Sequence, residues 1–163
     1  MCSTTEVSDS IRVQFLDTHN VRRSALAKGQ IKDAYPGRTA LPTASNMLKL
    51  RWDCKLEKEA IDYINKCPTS TYAKVNDQQS GENFYRAAMS GFATPRDAVK
   101  KMGWATNQYL GCAIGMCSGN YIVVCRYNRM RPNTINYPQY NRGAPCSACP
   151  ARTSCVSGMG LCN

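Results

Sequence analysis

Tyr109-Leu110-Gly111-Cys112-Ala113-Ile114 and Tyr121-Ile122-Val123-Val124-Cys125-Arg126-Tyr127 are two β-branched or aromatic runs, separated by a turn at Gly119-Asn120. Such residues suit a pleated surface, and the short polar break reads as a hairpin of two antiparallel strands. The chain before them has a different period. From Val7 to Lys28, apolar or half-apolar residues at Val7, Ile11, Phe15, Thr18, Val21, Ala25 and Leu26 recur every three to four positions, one face of an amphipathic helix. Ser8 or Ser10 can cap its start, and Gly29 lies just past its end. Asp53 then opens a second helical pattern through Leu56, Ala60, Ile61, Ile64 and Cys67, which Pro68 stops. Helices first and strands later describe an α+β fold, not alternating βαβ units.

Between these elements the signals are weaker. Residues 29–44 contain Gly29, Pro36, Gly37 and Pro42 and read as a surface loop, followed by a short turn over 46–50. Gly81-Glu82-Asn83-Phe84-Tyr85 opens another ordered piece. Thr94-Pro95-Arg96-Asp97 carries an N-cap, a first-turn proline and an acid, so a helix is predicted from Thr94 that ends by Lys101.

The sequence has 163 residues with 21 Lys plus Arg against 11 Asp plus Glu, a net charge of +10. A domain of this size buries about 68–70% of its unfolded surface and needs no metal to hold a core. The basic residues are scattered, without a run or an aromatic RNA-binding motif, so nucleic acid is not an expected partner. No stretch approaches the roughly 18 apolar residues of a membrane span. The opening Met1-Cys2-Ser3-Thr4-Thr5-Glu6 has neither a basic nor an apolar leader region and reads as a mature chain.

Ten cysteines, Cys2, Cys54, Cys67, Cys112, Cys117, Cys125, Cys146, Cys149, Cys155 and Cys162, are an even set too large for a reducing compartment unless metal holds them. Five disulfides and secretion are expected, with the pairing left open. Cys146-x-x-Cys149 with Cys155 and Cys162 has zinc-knuckle spacing, but no second His is present, and disulfides are the stronger reading. Residues 144–163 have almost no core of their own, so they are read as a stapled appendage to a domain over 1–143.

His19 is the only imidazole in the chain. Two-His zinc chemistry is thereby excluded, a Cys-His nucleophile lacks a free thiol, and no Gly-x-Ser-x-Gly elbow is present.

Several blocks nevertheless share one resemblance. Thr18-His19-Asn20-Val21-Arg22-Arg23 resembles the His-Asn-x-x-Arg helix of the CAP superfamily, the cysteine-rich secretory, antigen 5 and pathogenesis-related-1 (SCP/TAPS) proteins. Leu41-Pro42-x-Ala44-Ser45-Asn46-Met47-x-Lys49-Leu50-x-Trp52-Asp53-Cys54-x-Leu56-Glu57 resembles its second block and Gly81-Glu82-Asn83 its Gly-Glu-Asn turn. Trp104-Ala105-Thr106 through Leu110-Gly111-Cys112, and Tyr121 to Tyr127, resemble its last two strands. The tail from Gly143 to Cys162 is similar to the hinge of nematode activation-associated secreted proteins.

The resemblance implies a three-layer α-β-α sandwich, a CAP domain over 1–143 and a cysteine-rich hinge tail over 144–163. It also implies a groove with a tetrad of two His and two Glu, which binds a divalent metal in some members. His19 and Glu82 match the first His and the first Glu, and are expected to face each other in an open groove. The second pair does not carry over, because Lys101 runs directly into Met102 where the family has an acidic helix turn and a Gly-His element. Asn128-Arg129-Met130-Arg131-Pro132-Asn133 also departs from the family's Pro-x-Gly-Asn block. No catalytic residue, cofactor or metal site is therefore assigned; a divalent metal is expected only if a segment with a second His is missing at Lys101-Met102.

The function implied is that of a secreted, non-enzymatic interaction protein of a parasitic nematode. It would act at the host–parasite interface through immunomodulation, host proteins or receptors as partners, and sterol or fatty-acid binding, with a homodimer among its assemblies. The alternatives are a hydrolase using a His19/Glu82 groove and a cationic binder of anionic glycans.

Overall fold

The structure, a computed structural model, describes residues 2–32, 39–69, 81–88, 107–128 and 138–163. The helix expected from Thr94, the Trp104 segment, the Lys101–Met102 junction and the block over 129–133 lie outside these residues. Among the described residues, two helices, α1 (Asp9–Ala27) and α2 (Cys54–Ile64), accompany six strands: β1 (Arg51–Trp52), β2 (Gly81–Ala88), β3 (Tyr109–Cys117), β4 (Asn120–Tyr127), β5 (Cys155–Val156) and β6 (Leu161–Cys162). The architecture is α+β. The larger sheet runs β1-β3-β4-β2, with β1 parallel to β3 and the other pairs antiparallel, and β5 pairs with β6.

Local chemistry sets the ends of these elements. Ser8 Oγ accepts the Ile11 amide at 3.4 Å as the α1 N-cap. Gly29, at φ +69°, closes the other end, with Gln30 N donating to Ala25 O and Gly29 N to Leu26 O, a Schellman pattern. Asp53 caps α2 by accepting the Leu56 amide at 2.9 Å. Ser118 and Gly119, at φ 47° and 72°, form the two-residue turn between β3 and β4, so the strands run further than the sequence suggests.

The contacts divide the chain into two units: Met1–Thr18, Arg51–Lys101 and Gln108–Pro132 in the first, and His19–Leu50, Met102–Asn107 and Asn133–Asn163 in the second. In the first unit, the face of β3 toward α2 carries two glycines. A Cβ on Gly111 would lie 2.1 Å from Glu57 N, and one on Gly115 would lie 2.4 Å from Ile64 Cγ2, so the helix seats directly on the strand backbone. Ala60, Ile61 and Ile64 pack there with Ala113, Cys117, Ile122, Val124 and Val7. Disulfides Cys2–Cys54, Cys67–Cys117 and Cys112–Cys125 cross-link this unit.

In the second unit, Leu26, Ala27, Ala44, Met47 and Leu161 form the core. The expectation of a tail ordered by cross-links alone needs correction. Cys146–Cys155 and Cys149–Cys162 do staple it, but Leu161 and Cys162 are fully buried. Cys162 N donates to Met47 O and Lys49 N to Cys162 O, each at 2.8 Å. Leu161 adds apolar burial to these cross-links and docks the tail into a core that the rest of the unit supplies.

The α1 face also differs from its expected apolar stripe. Val21 is 63% exposed, whereas Arg12, Phe15, His19, Asn20, Arg23, Leu26 and Ala27 are buried. The 3.6-residue period is present, but half of the buried stripe is polar.

Candidate functional site

His19 lies in α1 and is 0% exposed, so it does not present its ring to an open groove as expected. The residues that follow it in the His-Asn-x-x-Arg motif have a plain role. Asn20 Nδ2 donates to Leu50 O at 3.1 Å and its Oδ1 accepts Leu50 N at 2.8 Å, closing a two-bond clamp on one residue's backbone. Arg23 donates through Nε (2.8 Å) and Nη2 (2.6 Å) to Leu48 O, and through Nη2 to Asn107 O at 3.2 Å. Buried backbone groups need such partners where no strand supplies them. One turn of helix thus acts as the hydrogen-bonding edge for residues 48–50.

Glu82 lies in the first unit, near the start of β2, directly across from Arg126 of β4 in the ladder. Arg126 Nη2 approaches Glu82 Oε2 at 2.7 Å, with the two side chains only 8% and 10% exposed. The approach is off the hydrogen-bonding directions, and neither Glu82 Oε2 nor Arg126 Nε has a hydrogen-bond partner among the described residues. Charge attraction, not a directed bond, holds the pair.

Tyr63 of α2 places its ring 5.4 Å from the Arg126 guanidinium carbon, and Phe84 meets the same ring edge-on at 6.3 Å. Asn83 Nδ2 donates to Tyr127 Oη at 3.2 Å. Burial pushes the Glu82 carboxyl above its ordinary range and outweighs the opposing pull of Arg126. Burial, then the negative charge of Glu82, pushes the Tyr63 hydroxyl up, against a smaller effect of Arg126.

Sequence reasoning selected Glu82 but neither Arg126 nor Tyr63. The available signal was a single charge in the run Tyr121 to Tyr127, since a lone Arg in a buried strand calls for a counter-charge.

A second buried ion pair lies in the same unit. Arg12 Nε donates to Glu57 Oε2 at 2.8 Å and Nη2 to Oε1 at 2.7 Å, and Trp52 Nε1 donates to Oε2 at 2.6 Å; Thr4 completes the shell. Burial pushes the Glu57 carboxyl up, but the hydrogen bonds from Arg12, Thr4 and Trp52 together hold it below its ordinary range. The hydrogen bond to Glu57 is the main reason that the Arg12 guanidinium holds its proton more tightly than usual.

The Cys146, Cys149 and Cys162 sulfurs lie within 4.8 Å of one another, the clustering behind the zinc-knuckle spacing. They are consumed by the two tail disulfides, and no cysteine of the chain is free. The expectation of five disulfides holds. No helix among the described residues is long and apolar enough to cross a membrane.

Comparison with known proteins brings these features together. A sequence profile of the cysteine-rich secretory protein family, CAP, matches residues 16–127. Ancylostoma secreted protein of Ancylostoma caninum is 29% identical over 99% of this chain, and horse cysteine-rich secretory protein 3 is 30% identical over 75% of it. The chain spans only 46% and 62% of those two proteins' lengths. Hookworm platelet inhibitor 1, also of Ancylostoma caninum, is 27% identical over 88% of the chain and 75% of its own length. Among solved structures, that of NaASP2 with Zn2+ superposes with a TM-score of 0.82 at 28% identity over the whole of both chains. Na-ASP-1 gives the same score and identity over 99% of this chain and 49% of its own. Two of these relatives are named as secreted or secretory proteins and one as a platelet inhibitor. With the profile covering most of the chain and the α+β fold shared end to end, the chain belongs to the CAP family of cysteine-rich secretory proteins.

Proposed function

We propose that the chain is a secreted, non-enzymatic interaction protein of a parasitic nematode, acting at the host boundary by recognising a host protein or by capturing a sterol or fatty acid. The observation that carries this reading is that the chain's one imidazole is fully buried while every thiol is bonded. Activation of a Ser, Thr or Cys nucleophile by an accessible histidine, the commonest route to a hydrolase, then lacks its base. Five disulfides suit the extracellular compartment in which relatives named for secretion and for platelet inhibition would act.

The test has two arms. Native mass spectrometry of protein from an oxidising host, run alongside binding to platelets and leukocytes, should show a co-purified lipid or saturable cell binding that persists at physiological salt. Esterase and peptidase panels should show no turnover above the level of a His19→Ala variant. Turnover abolished by His19→Ala would establish the hydrolase instead, and cell binding lost between low and physiological salt would establish the cationic glycan binder.

A further inference from the structure

The family resemblance implies a divalent metal held by two His and two Glu, and a relative with the same fold has been solved with Zn2+. The residues of this chain do not fit such an ion. It has one imidazole, which is fully buried, and its ten cysteines are all in disulfides. The matching carboxylate, Glu82, already has a cation 2.7 Å from Oε2, the Nη2 of Arg126.

We infer that the Arg126 guanidinium takes the place of a metal at Glu82, so that this centre is charge-neutral without an ion and excludes divalent cations. Two features make the guanidinium a fixed part of the centre. Glu82 and Arg126 are cross-strand partners in the β2–β4 ladder, so the backbone register, not a chance rotamer, brings them together. The Tyr63 ring stacks near the guanidinium, and both charged side chains are about nine-tenths buried. Arginine stays protonated at every pH at which the protein is folded, so unlike lysine or histidine it cannot shed its charge to admit an ion. Zinc bonded to a carboxylate sits about 2 Å from its oxygen, which at Glu82 Oε2 would bring it within a few ångströms of that permanent like charge.

The experiment is a titration of the metal-free protein with Zn2+ and Mn2+ by isothermal calorimetry, with thermal unfolding as a second readout. The intact chain and Glu82→Gln should behave alike, with no stoichiometric binding at Glu82 and no metal-induced stabilisation that separates them. Arg126→Gln leaves Glu82 as a lone carboxylate where a zinc site needs at least three protein ligands, so it should gain no stoichiometric site; it should instead unfold at a lower temperature than the intact chain because a buried charge loses its partner, and adding Glu82→Gln should restore much of that loss. One equivalent of metal bound by the intact chain and lost in Glu82→Gln would overturn the inference, as would an Arg126→Gln variant that unfolds at the same temperature as the intact chain. If Arg126→Gln fails to fold, the comparison of the intact chain with Glu82→Gln still decides.

Discussion

Arg12 and Glu57, from different helices, meet in a two-pronged ion pair with side chains only 3% and 0% exposed. A pair this deep contributes little net stability over apolar residues of the same shape, but breaking one half strands a buried charge. Arg12→Ala should therefore lower the stability of the oxidised protein by roughly 3–5 kcal/mol in urea denaturation, and replacing both residues by Met and Leu should cost far less. A loss under about 1 kcal/mol for Arg12→Ala would mean that water reaches the pair.

The same carboxylate gives stability a pH dependence of known sign. The Glu57 carboxyl titrates below its ordinary value in the folded state. Its contribution is thus complete above the unfolded pKa of about 4.3 and is lost as pH falls through the lower folded value. Glu82 acts in the opposite sense: its folded pKa is raised, so its contribution is present below about pH 4.3 and fades as pH rises through the folded value. Glu57→Gln should lower stability at neutral pH and flatten the acid limb of a stability-pH curve. An acid limb that keeps its slope in that variant would assign acid sensitivity to other groups.

Gly111→Ala should be the most damaging glycine replacement in the β3–β4 hairpin. Its new methyl group would lie 2.1 Å from backbone of α2, which can move only by lifting the helix. Overpacking of this kind costs about 1–3 kcal/mol or more. At Gly119, where nothing lies within 4 Å, alanine meets only the strain of a positive φ, about 1 kcal/mol. Equal shifts in the denaturation midpoint for the two variants would count against the close seating of α2.

Asn20→Ala removes both bonds to Leu50 and leaves its amide and carbonyl without that partner. The expected cost is about 1–3 kcal/mol, with hydrogen exchange at the Leu50 amide accelerated while the β3 and β4 amides keep their relative protection. Uniform acceleration across the chain would instead indicate global destabilisation.

Thiol titration of the denatured, unreduced protein should return close to zero free thiols. The paired variant Cys149→Ser, Cys162→Ser should then loosen the tail, with faster exchange at the Lys49 amide, which bonds to Cys162 O. Unchanged protection of Lys49 would show that Leu161 alone anchors the tail.

The residues that made the fold legible are those whose signals are local. Asp53 announces α2, Gly29 ends α1, and the β-branched runs at 109–114 and 121–127 give the hairpin. The two-residue strand β1 and the docking of Leu161 depend on partners far away in sequence, which no local window contains. On α1, polarity hid burial: His19, Asn20 and Arg23 read as a chemical motif, yet Asn20 and Arg23 act as backbone partners for residues 48–50. Glu82 was found by its block, and Arg126 was missed because the register joining them spans the intervening chain.

The bonds from Met47 and Lys49 to Cys162 bear on how the chain is made. Residues 47–49 receive their ladder partner only after more than a hundred further residues have been synthesised, and Cys149 finds its sulfur partner at the same late position. The second unit therefore cannot close while the ribosome is still producing the middle of the chain. Until the translated sequence has passed residue 162, Cys149 lacks its partner and is open to mispairing with earlier cysteines, so in an oxidising expression host the yield should depend on disulfide isomerase more steeply than for a protein whose bridges close in order.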